Sequence, residues 1–161
     1  MPLQARAACD ADHDAVARMM VALYVEDPSP ETVTVASSLR TLARLRDEPV
    51  RGTAMVLEDD GGVAGYALLA SFWSNELGGV ICVVDELYVA PPHRGRGLAT
   101  WFVGELARAT APWVPAGFRE AVALELEVTP HNARARALYE RLGFAPKKNA
   151  VLRRRARAAG A

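Results

Sequence analysis

Apolar residues recur along this chain at two spacings, roughly 3.6 and 2 positions, and they sort it into helices and strands. Behind a short apolar opening, Asp10 and Asp12 are suited to cap a helix, and Val16, Met19, Met20 and Leu23 predict one running to about Tyr24. Pro28 and Pro30 interrupt the pattern, because proline fixes φ and biases its predecessor away from helix. A second helix is predicted over residues 31–46, with Val35, Leu39, Leu42 and Leu45 inward. Residues 53–57 and 63–69 read as strands joined through Asp59-Asp60-Gly61-Gly62, whose glycines supply the positive φ of a tight turn.

The run Val80-Ile81-Cys82-Val83-Val84 continues to Val89 and reads as a central strand covered on both faces. Asp85 and Glu86, in its second half, are out of place as packing. Pro91 and Pro92 stop the strand, and a helix follows Gly97 with Leu98, Trp101, Phe102 and Leu106 inward. Residues 121–128 alternate, placing Val122, Leu124, Leu126 and Val128 on one face and Glu125 and Glu127 on the other. A last helix opens at Asn132, carries Ala135, Leu138 and Leu142 on its apolar face, and ends at Gly143. A short strand candidate follows Phe144, and then a basic tail.

Composition narrows the class. A chain of 161 residues, 51% of them hydrophobic, predicts one domain over residues 1–161, with 153–161 as a basic, frayed tail. No apolar run reaches the roughly 20 residues of a bilayer span, and the N-terminus lacks an apolar signal core, so the expectation is a cytoplasmic protein without a membrane partner. Cys9 and Cys82 are too far apart to suggest a disulfide framework, and His13, His93 and His131 lack metal-ligand spacing, so no metal is expected. The net charge of zero hides a division: residues 1–90 carry 14 acids against 6 bases, and residues 91–161 carry 13 bases against 5 acids. Solvated surfaces account for most such charges, but the division also suits a second half that meets an anion and a first half that meets a cation.

Arg94-Gly95-Arg96-Gly97-Leu98-Ala99 lies between a strand and a helix. Its glycines let backbone approach a ligand, and the free amides of the helix start suit a pyrophosphate. A Rossmann turn would need a third glycine near Thr100, and a P-loop would need Gly-Lys-Ser/Thr; neither is present.

Residues 89–99 resemble the acetyl-CoA signature of the GNAT superfamily of N-acetyltransferases, Arg/Gln-x-x-Gly-x-Gly/Ala. Residues 126–144 resemble its second signature, a strand, then Asn132, then a helix ending in Leu138-Tyr139 and Gly143-Phe144. Both occur in family order, and the resemblance covers nearly the whole chain. It implies an α/β layered fold with a mixed, mostly antiparallel central sheet, about four flanking helices, and strands splayed at the acetyl-CoA site. It also implies that Leu87, Tyr88 and Val89 offer backbone to the pantetheine arm, that Arg94, Gly95, Arg96, Gly97, Leu98 and Ala99 cradle the pyrophosphate, and that Asn132 bonds the arm while capping its helix. Tyr139 resembles the family's general acid, against the plain alternative of a packed aromatic. For the general base, Asp85 and Glu86 lead; Glu127 stands where ribosomal-protein N-terminal acetyltransferases carry theirs, and a solvent-facing strand residue is the alternative for each.

The resemblance implies acetyl transfer from acetyl-CoA to a primary amine, by direct attack of the neutral amine on the thioester with a base removing a proton. A small, cationic acceptor suits the acidic half, a peptide or protein amine is the other option, and a homodimer is common in such folds. A non-catalytic acyl-CoA-binding module is the competing reading, which has no need of Tyr139 or the carboxylates. A nucleic-acid partner is not expected, because the arginine tail has no aromatic platform beside it.

Overall fold

The computed structural model describes residues 3–156; Arg157 of the basic tail and residues 158–161 lie outside the described residues. The chain forms β1 (Gln4–Ala7), α1 (His13–Glu26), α2 (Val35–Asp47), β2 (Thr53–Asp59), β3 (Gly62–Ser74), β4 (Gly79–Val89), α3 (Leu98–Arg108), β5 (Ala121–Leu126) and α4 (Ala133–Arg141). The five strands make one sheet in chain order, β1 to β4 antiparallel and β5 parallel to β4.

Side-chain alternation in β2 and β3 divides the core between the two sheet faces. Ala54, Val56, Tyr66 and Leu68 point to one face and meet Val16, Ala17 and Met20 of α1 and Leu42 of α2. Met55, Leu57, Ala67 and Leu69 point to the other and meet Leu98, Phe102, Val103 and Leu106 of α3, with Tyr139 and Leu142 packed at the margin. The result is a helix–sheet–helix sandwich with α1 and α2 on one side and α3 and α4 on the other. Phe102 stacks on Trp113 at a centroid distance of 5.1 Å, which ties the loop after α3 to that helix. Cys82 lies in this core, where burial pushes its thiol up to about 12, so it acts as a small apolar residue.

Four departures from the sequence pattern have local causes. Helix α2 begins at Val35 because Thr34 and Ser37 form a capping box, with Ser37 N donating to Thr34 Oγ1 at 3.1 Å and Thr34 N donating to Ser37 Oγ at 2.9 Å. Val35, expected inward, is therefore an exposed first-turn residue. Val122 is 55% exposed because the β4–β5 register slips between Val80 and Ile81, so that Ala121 and Leu124 face the core and Val122 lies against Gly79. Glu127 follows the last residue of β5, and no strand forms in residues 145–156. That segment is held instead by ion pairs of Lys147 with Glu125, at 2.7 Å, and of Arg155 with Glu31.

Candidate active site

β4 and β5 stay paired only from Val80↔Ala121 to Val84↔Leu126. Beyond that, β4 runs on to Val89 with β3 alone as a ladder partner, while the chain after β5 turns away into α4. The divergence opens a cleft of about 410 Å³. Its floor is Leu87, Tyr88 and Val89, one wall is the loop before α3, and the opposite wall is α4 with Asn132 and Tyr139.

Gly95 and Gly97 shape the first wall. Both hold positive φ, +78° and +82°, which a residue with a Cβ rarely adopts, and a Cβ at either would meet nothing within 4 Å. The backbone thus turns toward open space at the start of α3, where the helix dipole and unpaired amides favour an anion. Gly95, Gly97, Leu98 and Ala99 line the cleft. Arg94 lines it too, its Nε donating to Val89 O at 2.7 Å and its Nη2 to both Glu26 oxygens at 2.9 and 2.8 Å. Arg96 turns the other way and ion-pairs with Asp59 at 2.5 Å and Asp60 at 3.0 Å, pinning the loop to the β2–β3 turn. His93 reaches the same Asp59 at 3.1 Å. Arg134 and Arg141 of α4 also line the cleft, with no ion-pair partner among the described residues.

On the α4 wall, Asn132 Oδ1 accepts from Ala135 N at 3.0 Å and so caps the helix while facing the cleft. Tyr139 sits seven residues on, edge to face with Phe144 at 5.7 Å. Burial raises its phenol above the usual value, so it stays protonated across the neutral range.

Just past the last β4–β5 pair, Asp85 and Glu127 come close enough to repel, while Glu86 turns to other partners. β3 pairs Leu68 with Glu86 but Leu69 with Val84, so Asp85 is the extra residue of a β-bulge. The bulge reverses the parity of the strand: Cys82 and Val84 share a face with Leu87, whereas Glu86 joins Tyr88 on the α1 side. There Glu86 accepts from Tyr24 OH at 2.7 Å and Tyr66 OH at 2.8 Å. Burial lifts the Glu86 carboxyl above its ordinary range, while the two phenols oppose that rise. Asp85 is exposed, has no hydrogen-bond partner among the described residues, and is held above the usual carboxylate range by desolvation and then by the Glu127 charge, with Arg153 opposing. Asp85, Glu86 and Glu127 do not line the main cleft. They form its acidic neighbour.

Sequence reasoning did not single out Tyr24, Glu26 or Asp27. Their only signal was position: two acids end α1 just before Pro28, against the helix dipole. Among the described residues, no group of His, Cys, Asp and Glu could hold a metal ion, and no helix is long and apolar enough to cross a membrane.

A sheet opened between two parallel strands, with a left-handed glycine loop at the helix start beside the opening, sets an unpaired strand edge against a helix start that favours anions. Residues 17–144 match the Acetyltransferase (GNAT) family, and the chain belongs to that family of acyltransferases. The streptothricin acetyltransferase of Streptomyces lavendulae is 37% identical over 94 residues, covering 58% of this chain and 44% of that protein, so the match spans less than half of the relative. The crystal structure of a possible acetyltransferase from Clostridium difficile 630 superposes with a TM-score of 0.80 at 16% identity, covering 98% of this chain and 100% of that one. A ribosomal-protein-alanine N-acetyltransferase from Brucella melitensis biovar Abortus 2308 gives 0.74 at 22% identity, covering 95% and 99%. At such identities the two structures speak for the fold, which is the mixed, splayed sheet with four helices that the sequence implies.

Proposed function

We propose that the protein transfers the acetyl group of acetyl-CoA to a primary amine of a small, cationic molecule. The observation that carries this reading is the cleft itself, where an unpaired strand edge, a left-handed glycine loop and a half-buried tyrosine converge. Acetyl-CoA is the cosubstrate of the family, and the residues fit it. The open faces of Gly95 and Gly97 leave room for a pyrophosphate, and successive amides there form an anion-binding concavity. Arg94, Arg134 and Arg141 supply cationic donors along the same cleft. Leu87, Tyr88 and Val89 present a strand edge that an extended arm joins as an added strand.

The thioester supplies an activated acyl group, and this chain supplies proton traffic and charge. Asp85, free of hydrogen bonds, takes the proton from the attacking amine, directly or through water. Glu86 stays anchored by its two phenols and, with Glu127, keeps the acceptor side negative. Tyr139 donates a hydrogen bond to the departing sulfur. The acidic mouth and the streptothricin-acetylating relative both favour a small, cationic acceptor over a protein amine.

A thiol-release assay with acetyl-CoA across polyamines, aminoglycosides, amino acids and peptides tests the proposal. Turnover is expected with small polycationic amines, and Tyr139→Phe is expected to lower kcat by about 10²-fold without weakening acetyl-CoA binding. Binding without turnover on any amine would instead identify a carrier-binding module.

A further inference from the structure

Past Val84 and Leu126 no strand ladder joins the two walls of the cleft, and apart from non-directional apolar packing their separation rests on polar side-chain contacts. Among the described residues, no hydrogen bond or ion pair runs directly from residues 85–97 to residues 127–144. The end of α1 touches both. Glu26 accepts from Arg94 Nη2 at 2.8 Å and from Tyr88 OH at 3.0 Å, on the β4–α3 wall. Its neighbour Asp27 accepts from Thr129 Oγ1 at 2.9 and 3.0 Å, and its Oδ2 accepts from Asn132 Nδ2 at 3.3 Å, on the α4 wall. These are consecutive residues on a helix end, so the two grips cannot move independently.

We propose that Asp27 is a positioning residue of the cofactor cleft: through Thr129 and Asn132 it fixes the α4 wall to the end of α1, whose Glu26 already holds the opposite wall through Arg94 and Tyr88. The inference rests on the cleft being the acetyl-CoA site. Three features support it. Asn132 has one polar atom for the helix and one for Asp27, so Asp27 determines which way the amide faces. Thr129 begins the turn that leads into α4, with Asn132 N donating to Thr129 O at 3.1 Å, so anchoring its hydroxyl anchors the helix start. Finally, two carboxylates at a helix C-terminus oppose the dipole and gain nothing from it; their placement makes sense through the cationic and hydroxyl partners they hold. Asp27 touches no reacting atom. It acts through Asn132 and, along α4, through the placement of Tyr139.

Calorimetric titration of the full chain with acetyl-CoA tests this, using Asp27→Ala, Thr129→Val and the double variant. Thr129→Val is expected to weaken binding by about tenfold, the loss of one charge-assisted hydrogen bond, Asp27→Ala by at least as much because it also releases Asn132, and the double variant to be no worse than Asp27→Ala. The KM for acetyl-CoA should rise with it while the KM for the amine stays unchanged. Thr129→Val removes one hydroxyl at constant shape, so it keeps the test alive should Asp27→Ala fold poorly. Wild-type affinity in both single variants, with only melting temperature lowered, would reduce Asp27 to a structural cap and overturn the proposal. Absence of acetyl-CoA binding by the wild type would instead overturn the reading of the cleft, and the positioning role with it.

Discussion

Asp85 and Glu86 are neighbours in sequence with opposite circumstances. Two phenols hold Glu86, whereas nothing holds Asp85 beyond the repulsion of Glu127 and the attraction of Arg153. A carboxyl lifted above its ordinary value binds its proton more tightly in the folded chain than in the unfolded one. Its charged form therefore costs stability that is complete above the folded pKa and absent only well below the ordinary aspartate value of about 3.9, where both states are protonated. Asp85→Asn is accordingly expected to melt higher than the wild type at pH 7.5 by circular dichroism, with the gain shrinking as pH falls toward about 4 and vanishing by about pH 3, while kcat drops by about 10²-fold or more. A lower melting temperature at pH 7.5 would contradict this account of the site. The sequence puts both acids on the right strand but leaves their faces open. Parity depends on a bulge that exists only in the pairing with β3, and Glu86's partners come from Tyr24 and Tyr66, far away in the chain.

At the scale of elements, the cleft depends on how closely β3 and β4 approach. Gly65 pairs with Val89, and a Cβ at Gly65 would stand 2.4 Å from Tyr88 O, with backbone as the obstacle. Gly65→Ala must push β4 outward at the segment that floors the cleft. It is expected to cost about 1–3 kcal/mol in denaturant unfolding and to weaken acetyl-CoA binding in parallel. Retention of both would mean that the Leu87 to Val89 edge does not set the site. Helices α1, α3 and α4 were legible because each has a cap or breaker beside a clear apolar stripe, as with Gly97 before Leu98 and Asn132 before Ala133. Local alternation misled where tertiary pairing decides. Val122 was assigned to the core face and lies outside because of the slip at Val80, and the strand expected after Phe144 never finds a partner, its place taken by the ion pairs of Lys147 and Arg155.

Across the whole molecule, several ion pairs join the acidic first half to the basic second half. Part of that division is internal: Glu26 holds Arg94, Asp59 and Asp60 hold Arg96, and Glu31 holds Arg155. What remains is a cleft with Arg134 and Arg141 unpaired on one side and the Asp85–Glu127 mouth nearby. Under the proposed function, this arrangement would send a polyphosphate and a cationic amine to adjoining places. The division of charge and the two signatures were legible in the sequence; which charges neutralise each other was not, because those pairs join residues from 36 to 124 positions apart. The central claim is that the splayed cleft holds acetyl-CoA, and a calorimetric titration of wild type against Gly97→Trp tests it most directly. Gly97 opens toward empty space, so an indole there fills the loop's face of the cleft, although its left-handed backbone adds about 1–2 kcal/mol of local strain. One saturable site in the wild type, lost in a Gly97→Trp variant that still melts cooperatively, is the predicted result. No binding by the wild type, or binding that Gly97→Trp leaves unchanged, would contradict the account.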